Sequence, residues 1–291
     1  MSSVLLAEQR RAFQANYNRA SFAFQHSLQE LDIFETPQLA AMSERLPDPA
    51  YCSTADSTVV DGWKNVGQRG ATLARTLETL TETNSLVLLK HCERDPIYGA
   101  TFRAIMEDVV EQAGSELRGD IDVGRATLVI SSPRRVTPYH IDGEANFLLQ
   151  VRGSKLLYAF DPNDRSLLSE RELEAFYGGD ADAARYREER QNEATTYALA
   201  PGIGIHLPLH TPHWAQNLND VSVGLSLNFN LHSGARLRRL YKVNNRLRKA
   251  GLKPAAPGES AWQDRVKLAA VAGALLVRPL LRRRAPQRAA R

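Results

Sequence analysis

Hydrophobic residues in the first third of the chain recur mainly at helical spacing. Residues 7–31, 70–80 and 101–117 mix polar and apolar positions with a period near that of a helix, which predicts helices that bury one face. Between them, the short apolar run SLVLL at residues 85–89 predicts a buried strand. The pattern therefore predicts a mainly helical region over residues 1–120 that packs on the remainder of the protein.

The middle of the chain changes to the period of two that is typical of strands. Short runs with this pattern lie at residues 126–131, 146–151, 155–160, 195–199, 203–207, 213–217 and 221–231. Charged helical segments at residues 168–177 and 181–191 interrupt them. The tripeptide Arg152-Gly153-Ser154 separates two runs at a spacing typical of a hairpin. Short antiparallel strands in this number predict a small barrel with a mouth for a ligand.

Helical spacing returns after His232. Residues 235–250 and 261–277 predict two helices, and a linker with Pro and Gly at residues 253–260 joins them. This extension, residues 233–291, is distinct from the barrel. One interpretation is that its helices form the interface of a homodimer.

The charge of the chain is divided unevenly between the body and this extension. From Gly234 onward there are 16 basic and 2 acidic residues (net +14), which leaves 21 basic and 31 acidic residues (net −10) in the body. A basic extension predicts an anionic partner, which is a nucleic acid, an anionic membrane surface or an acidic protein. The alternative is that the extension packs on the acidic body, and charge alone does not decide between them.

Composition excludes several classes of protein. The two cysteines, Cys52 and Cys92, are far apart and lack a CxxC spacing, so the chain is neither a disulfide framework nor a zinc finger. The N-terminus lacks the apolar core of a signal peptide, and the apolar run at residues 268–277 is too short to span a bilayer. These features predict a cytoplasmic protein.

The stretch TPYHIDGEANFLLQVRGSK, residues 137–155, carries the first candidate chemistry. This His-x-Asp motif is predicted to open a strand, on which His140 and Asp142 point to the same face. A histidine and a carboxylate are two of the three ligands in the facial triad of non-haem Fe(II) oxygenases. The alternative is a surface turn in which these residues meet by chance.

A third ligand is expected from a later strand. The segment GIHLPLHTPHWAQNL offers His206, His210 and His213. His213 fits best, because it follows a proline and opens the strand-like run HWAQN, whereas the others lie inside a strand or in a turn. Lys155 lies among apolar residues on a neighbouring strand, and a buried lysine requires an anion, although a solvent-facing lysine has the same pattern.

At these positions the sequence resembles the JmjC and cupin-like 2-oxoglutarate dioxygenases, among them the asparaginyl hydroxylase that inhibits hypoxia-inducible factor. The shared pattern is T-P-x-H-x-D-x-x-x-N-F-x-x-Q-x-x-G-x-K, followed by P-x-x-x-x-H at residues 208–213. The resemblance covers residues 126–231. It implies a mainly β fold, a double-stranded β-helix (jelly-roll or cupin) barrel over residues 121–232, with N-terminal helices, a helical insertion at residues 161–193 and C-terminal helices.

The resemblance also implies roles for seven residues. Fe(II) would be held by His140, Asp142 and His213. The co-substrate 2-oxoglutarate would be bound by Lys155, Thr137, Asn146 and Asn228. With O₂, these groups would convert 2-oxoglutarate to succinate and CO₂ and oxidise a C–H bond of a peptide side chain or a small metabolite, by hydroxylation or by demethylation.

Two other functions remain open at this point. A metal cupin of another reaction class would not need Lys155, although such sites usually use three or four histidines. A non-catalytic binding protein would use the basic extension on nucleic acid and would make no succinate.

Overall fold

The computed structural model describes residues 4–5, 9–46, 51–53, 57–61 and 73–282. Positions 7–8 and 70–72 of the predicted helices, and the arginine-rich end of the chain, lie outside the described residues. None of the helices in the described part of the chain combines the length and the apolar character needed to cross a membrane.

The described residues form eleven strands in two antiparallel sheets. The strands are β1 (Phe22–Gln25), β2 (Tyr51–Ser53), β3 (Leu86–Lys90), β4 (Ile121–Ser131), β5 (Val136–His140), β6 (Ala145–Arg152), β7 (Lys155–Ala159), β8 (Thr195–Leu199), β9 (Ile203–Leu207), β10 (His213–Asn217) and β11 (Ser222–Leu231). The larger sheet has the order β1-β9-β6-β11-β4-β3-β2, and the smaller has the order β5-β10-β7-β8. Residues of both sheets line one cavity, so the predicted jelly-roll barrel is confirmed.

Along the chain, helices precede the barrel strands β4–β11, interrupt them once between β7 and β8, and follow them. They are α1 (Arg10–Asn16), α2 (Thr36–Arg45), α3 (Leu73–Glu78), α4 (Gly99–Ala113), α5 (Ser115–Asp120), α6 (Glu170–Tyr177), α7 (His232–Lys249) and α8 (Ala261–Arg282). Helix α6 begins where Ser169 and Glu172 form a capping box, in which each side chain accepts a hydrogen bond from the other's backbone N–H. The prediction of two C-terminal helices is confirmed.

The predicted helix over residues 7–31 is wrong at Phe22–Gln25. These residues form β1 and pair with β9, with Phe24 opposite Gly204. A Cβ at residue 204 would lie 2.5 Å from the Phe24 ring, so glycine lets that ring pack on the strand. A partner strand far along the chain therefore decides the structure of this segment, and local spacing does not.

The predicted helix over residues 181–191 is also wrong. This segment consists of turns and bends, followed by a 3₁₀ helix at Glu188–Glu193. Ion pairs attach it to the body: Arg187 pairs with Glu172 and Arg190 pairs with Asp164. The charged residues of this segment, whose pattern predicted a helix, therefore include side chains that form ion pairs with the body of the protein.

The predicted hairpin at Arg152-Gly153-Ser154 does not form. β6 pairs with β9 and β11 in the larger sheet, whereas β7 pairs with β10 and β8 in the smaller sheet. Gly153 adopts a φ of 62°, and a Cβ there would lie 2.3 Å from the carbonyl oxygen of Val221. The connection therefore carries the chain from one sheet to the other.

Strand β6 has two buried faces with different surroundings. Ala145, Phe147 and Leu149 pack in the core between the larger sheet and the N-terminal helices. Asn146 and Leu148, which alternate with them, line the cavity between the sheets. Packing on one face therefore fixes the position of the polar groups on the other.

We expect Phe147→Ala to lower the free energy of unfolding by about 3–5 kcal/mol, because Phe147 is fully buried and its removal leaves a cavity. Its ring lies 5.9 Å from the ring centroids of both Phe13 and Phe229. Urea denaturation measures this change. Trp262→Ala is the control, since that side chain is 67% exposed and its loss should change stability little. Equal effects of the two substitutions would contradict this packing.

Candidate metal centre

Two histidines and one aspartate meet at the end of the smaller sheet. His140 is the last residue of β5, and it lies opposite His213, the first residue of β10. Asp142 follows two residues after β5. The motif therefore ends a strand, and the prediction that it opens one is wrong, because the next strand begins only at Ala145. One oxygen of Asp142 lies 3.9 Å from Nε2 of His140, and the other lies 4.0 Å from Nε2 of His213.

Backbone hydrogen bonds fix the orientation of both imidazoles. Nδ1 of His140 donates to the carbonyl of Pro138 at 2.8 Å, and Nδ1 of His213 donates to the carbonyl of Thr211 at 2.9 Å. Because a carbonyl only accepts, each Nδ1 carries the proton and each Nε2 is the unprotonated ring nitrogen. Burial lowers the pKa of both histidines to about 4, so they are neutral at pH 7, as metal ligands must be.

The donor set fits a divalent cation. The ligand atoms of His140, Asp142 and His213 all lie within 4.8 Å of one another. Two atoms bound to one ion at about 2.1 Å each are at most about 4.2 Å apart, and Nε2 of each histidine lies within this limit of one of the two Asp142 oxygens. Burial raises the pKa of Asp142, which means that its charged form lacks the solvation that a cation would replace.

The two other candidate histidines have different partners. Nδ1 of His206 bonds the carbonyl of Asn146 at 2.9 Å, and its Nε2 accepts the backbone N–H of Asn18 at 3.0 Å. Nε2 of His210 lies 2.5 Å from the hydroxyl of Tyr177. The structure brings His213, and neither of these two histidines, to His140 and Asp142.

Lys155 is a buried cation in the same cavity. Lys155 is the first residue of β7 and pairs with Asn217 and Leu199 on the neighbouring strands. Only 3% of the residue is exposed. Lys155 lines the cavity, and its Nζ has no hydrogen-bond or ion-pair partner among the described residues. Burial lowers its pKa to about 8. An uncompensated ammonium group in this position is expected to bind an anion.

The cavity has a volume of ≈ 540 Å³ and joins the metal cluster to Lys155. Thr137, Asn146 and Asn228 also line it, so all seven predicted residues share one cavity. The side-chain amide of Asn146 donates to Oδ1 of Asn228 at 2.7 Å and to Ser226 at 2.8 Å. The carbonyl oxygen of the Asn146 side chain is buried and has no partner among the described residues.

Residues that the sequence did not indicate form the rest of the cavity wall. Glu144 is one of them, and both of its hydrogen bonds, from Arg125 and Asn230, reach the same oxygen at 3.4 Å. Its other oxygen has no protein donor among the described residues. Phe176 comes from helix α6, and no local pattern could have placed it there. Glu144 lies two residues after Asp142 of the His-x-Asp motif, and that nearness was the available signal.

Comparisons with known proteins show a shared fold. No protein-family model matches the sequence, and no curated protein matches it. Among solved structures, the ribosomal oxygenase YcfD of Escherichia coli superposes with a TM-score of 0.54 and 14% sequence identity, over 96% of this chain and 69% of that chain. Its complex with cobalt and 2-oxoglutarate superposes with a TM-score of 0.53, 14% identity, and coverage of 94% and 68%.

A third structure, the same Escherichia coli oxygenase with cobalt and succinic acid, gives the same values: a TM-score of 0.53, 14% identity, and coverage of 94% and 68%. At this identity the likeness establishes the fold, which is the one that the resemblance implied. It extends over nearly the whole chain, and therefore includes the flanking helices as well as the barrel.

Proposed function

We propose that the protein is an Fe(II)- and 2-oxoglutarate-dependent oxygenase that hydroxylates a C–H bond. One observation carries the proposal: Lys155, whose ammonium group has no partner among the described residues, lines the cavity that also contains the His140, Asp142 and His213 cluster. The cluster alone would account for a metal site. The cluster together with the buried ammonium group fits a co-substrate with two carboxylates, of which one binds the metal and the other binds the ammonium group.

His140, Asp142 and His213 would hold the iron through Nε2, a carboxylate oxygen and Nε2. When bound, Fe(II) supplies the reductive activation of O₂ that oxidises 2-oxoglutarate to succinate and CO₂ and transfers one oxygen atom to the substrate. The hydrogen bonds to Pro138 and Thr211 hold the imidazoles in position for this role. The carboxylate of Asp142 occupies a ligand position that a halide would need, which favours hydroxylation or demethylation over halogenation.

The other side chains would orient the co-substrate. Lys155 would form an ion pair with the distal carboxylate of 2-oxoglutarate, and Thr137 would donate a hydrogen bond to it. Asn146 would present its unpaired side-chain oxygen beside the same molecule. Apolar side chains on the cavity wall, such as Leu157 and Leu207, exclude water from the ion pair and thereby strengthen it.

The substrate is proposed to be a protein or peptide side chain, with a small metabolite as the alternative. The similar Escherichia coli protein is described as a ribosomal oxygenase, which supports a macromolecular substrate over a small metabolite. Glu144 also supports a substrate that donates a hydrogen bond, because one of its oxygens is available on the cavity wall. A metal cupin of another reaction class would not require Lys155, and a non-catalytic binding protein would not require the metal-binding cluster.

Sequential titration tests this proposal. The protein is kept anaerobic, Fe(II) is added, and 2-oxoglutarate is then titrated while visible absorbance is recorded. We expect 2-oxoglutarate to bind only after the metal, with a new charge-transfer band that shows chelation to iron. Binding of iron without any subsequent affinity for 2-oxoglutarate would overturn the proposal.

The affinity for 2-oxoglutarate is expected to depend on pH through Lys155. Its pKa is lowered to about 8 in the free protein, so the ammonium is already charged below that pH and binding is insensitive to pH there. Above it, binding requires proton uptake, and the affinity should fall by up to about tenfold for each pH unit. Calorimetry with Mn(II) in place of iron measures this change.

Lys155→Arg is the matched control for this pH dependence, because a guanidinium group stays charged throughout the range. The decline in affinity between about pH 8 and pH 9.5 should disappear in that variant. An equal decline in both proteins would assign the titration to another group.

A further inference from the structure

Helix α7 presents a row of basic side chains to solvent. Five exposed residues form it, and we call them the α7 basic stripe: Arg236, Arg239, Lys242, Arg246 and Lys249. Successive members are three or four residues apart, so all five lie on one face of the helix. At a rise of about 1.5 Å per residue the stripe is about 20 Å long.

The stripe has no counter-charge among the described residues. None of its members forms an ion pair there, whereas Arg248 on the same helix pairs with the buried Glu174. The sequence contains no Asp or Glu between Asp220 and Glu259. Like charges three or four residues apart destabilise a helix slightly. The stripe therefore does not contribute to the stability of α7, and its presence needs another reason.

Packing on the opposite face holds the stripe in a fixed orientation. Leu240, Tyr241 and Asn244 are buried, and the ring of Tyr241 stacks on that of Tyr177 at 5.6 Å. The side chain of Asn244 donates to the carbonyl of Ala255 at 3.0 Å, which connects the helix to the linker before α8. A rigid row of cations needs no folding step before it binds a partner.

We propose that the α7 basic stripe binds the sugar–phosphate backbone of a nucleic acid. A rigid row of unpaired cations complements a polymer with regularly spaced phosphates, and its length corresponds to about six phosphates of one strand at about 3.4 Å each. A helix that lies on a membrane surface inserts apolar side chains beside its basic ones. The stripe contains none, because Leu240 and Tyr241 of α7 are directed into the protein.

This inference goes beyond the proposed function and does not depend on the metal centre. It assigns a binding surface on α7 that would recruit the protein to nucleic acid, or to a particle that contains it, whether or not the substrate is part of that particle.

The test measures binding of the full-length protein to a fluorescein-labelled single-stranded RNA of 20 nucleotides and to a duplex DNA, by fluorescence polarisation. If the five basic residues contact phosphates, the slope of log K against log salt for the single strand is expected to be about −3.5. Between 50 mM and 200 mM salt this slope weakens binding by about 100-fold.

Two triple variants with equal charge changes separate the stripe from general basicity. Arg239→Ala, Lys242→Ala and Arg246→Ala together should reduce the magnitude of the slope to about 1.4 and weaken binding at low salt. The control replaces Arg10, Arg19 and Arg118 with Ala; each is about half exposed and pairs with a glutamate. The control should bind as the unsubstituted protein does. Circular dichroism confirms that both variants are helical.

Three results would overturn the inference. The first is equal loss of binding in the two triple variants, which would indicate general attraction to the charge of the chain. The second is no binding to either nucleic acid while vesicles of phosphatidylserine and phosphatidylcholine bind, which would assign the surface to a membrane, with the exposed Trp262 and Val266 of α8 as the inserting residues. The third is no binding to any of these partners at low salt.

Discussion

Replacing Asp142 with Ala is expected to abolish both metal binding and turnover of 2-oxoglutarate. The substitution removes the single carboxylate of the cluster and leaves two neutral histidines, whose low pKa of about 4 reflects burial. Even the loss of a group that only supports a metal ligand weakens metal affinity by about 10–100-fold, so the loss of a ligand should exceed 100-fold. Anaerobic equilibrium titration with Fe(II) or Co(II) measures this affinity.

Glu144→Gln provides the matched control for Asp142→Ala. Glu144 is a second half-buried carboxylate on the same cavity wall, two residues along the chain, but it lies outside the cluster. The control should therefore retain full metal affinity. If Glu144→Gln and Asp142→Ala weakened metal binding equally, the site would depend on the negative charge of the cavity, and the assignment of ligands would be wrong.

Replacing Lys155 with Met should remove the affinity for 2-oxoglutarate and leave metal affinity unchanged. A carboxylate that binds in this cavity would lose the only buried ammonium group on its wall in the described structure, and breaking a buried ion pair costs about 3–5 kcal/mol. This energy corresponds to a loss of affinity of more than about 100-fold. Because methionine has a similar volume and no charge, the variant tests the charge and preserves the packing.

Lys90→Met is the control for that substitution. Lys90 also borders the cavity, but it lies at the end of β3 in the larger sheet and its side chain is exposed. We expect its replacement to change the affinity for 2-oxoglutarate by less than about twofold, since exposed ion pairs contribute little. A loss with Lys90→Met and none with Lys155→Met would place the co-substrate at the opposite end of the cavity.

The strands of the barrel could be predicted from the sequence because their environment repeats every second residue. In β11, for example, Leu225, Leu227 and Phe229 are buried in the core, while Ser226 and Asn228 line the cavity. The same regularity makes the motif informative. Fixed spacing from Thr137 to Lys155 places polar residues at defined positions on β5, β6 and β7, and these strands converge on one cavity.

Features that depend on distant partners could not be predicted in the same way. Phe22 and Phe24 form a strand only because β9, far along the chain, offers its edge. The turn at Gly153 crosses between sheets because both flanking strands have partners from later in the sequence. Phe176 lines the cavity although it belongs to a charged insertion, and nothing in the sequence of that insertion indicates that this side chain lies at the site. In each case the local pattern is compatible with more than one structure.

Formation of succinate is the most direct test of an Fe(II)- and 2-oxoglutarate-dependent function. The Fe(II)-loaded protein is exposed to O₂ with 2-oxoglutarate, without added substrate and with ascorbate to reduce the iron after each turnover, beside the His140→Ala and Lys155→Met proteins. We expect slow succinate formation, with consumption of O₂ in step, and neither product nor consumption in the two variants. An iron-loaded, folded protein that forms no succinate, or forms it equally after loss of His140, would contradict the proposed oxygenase function.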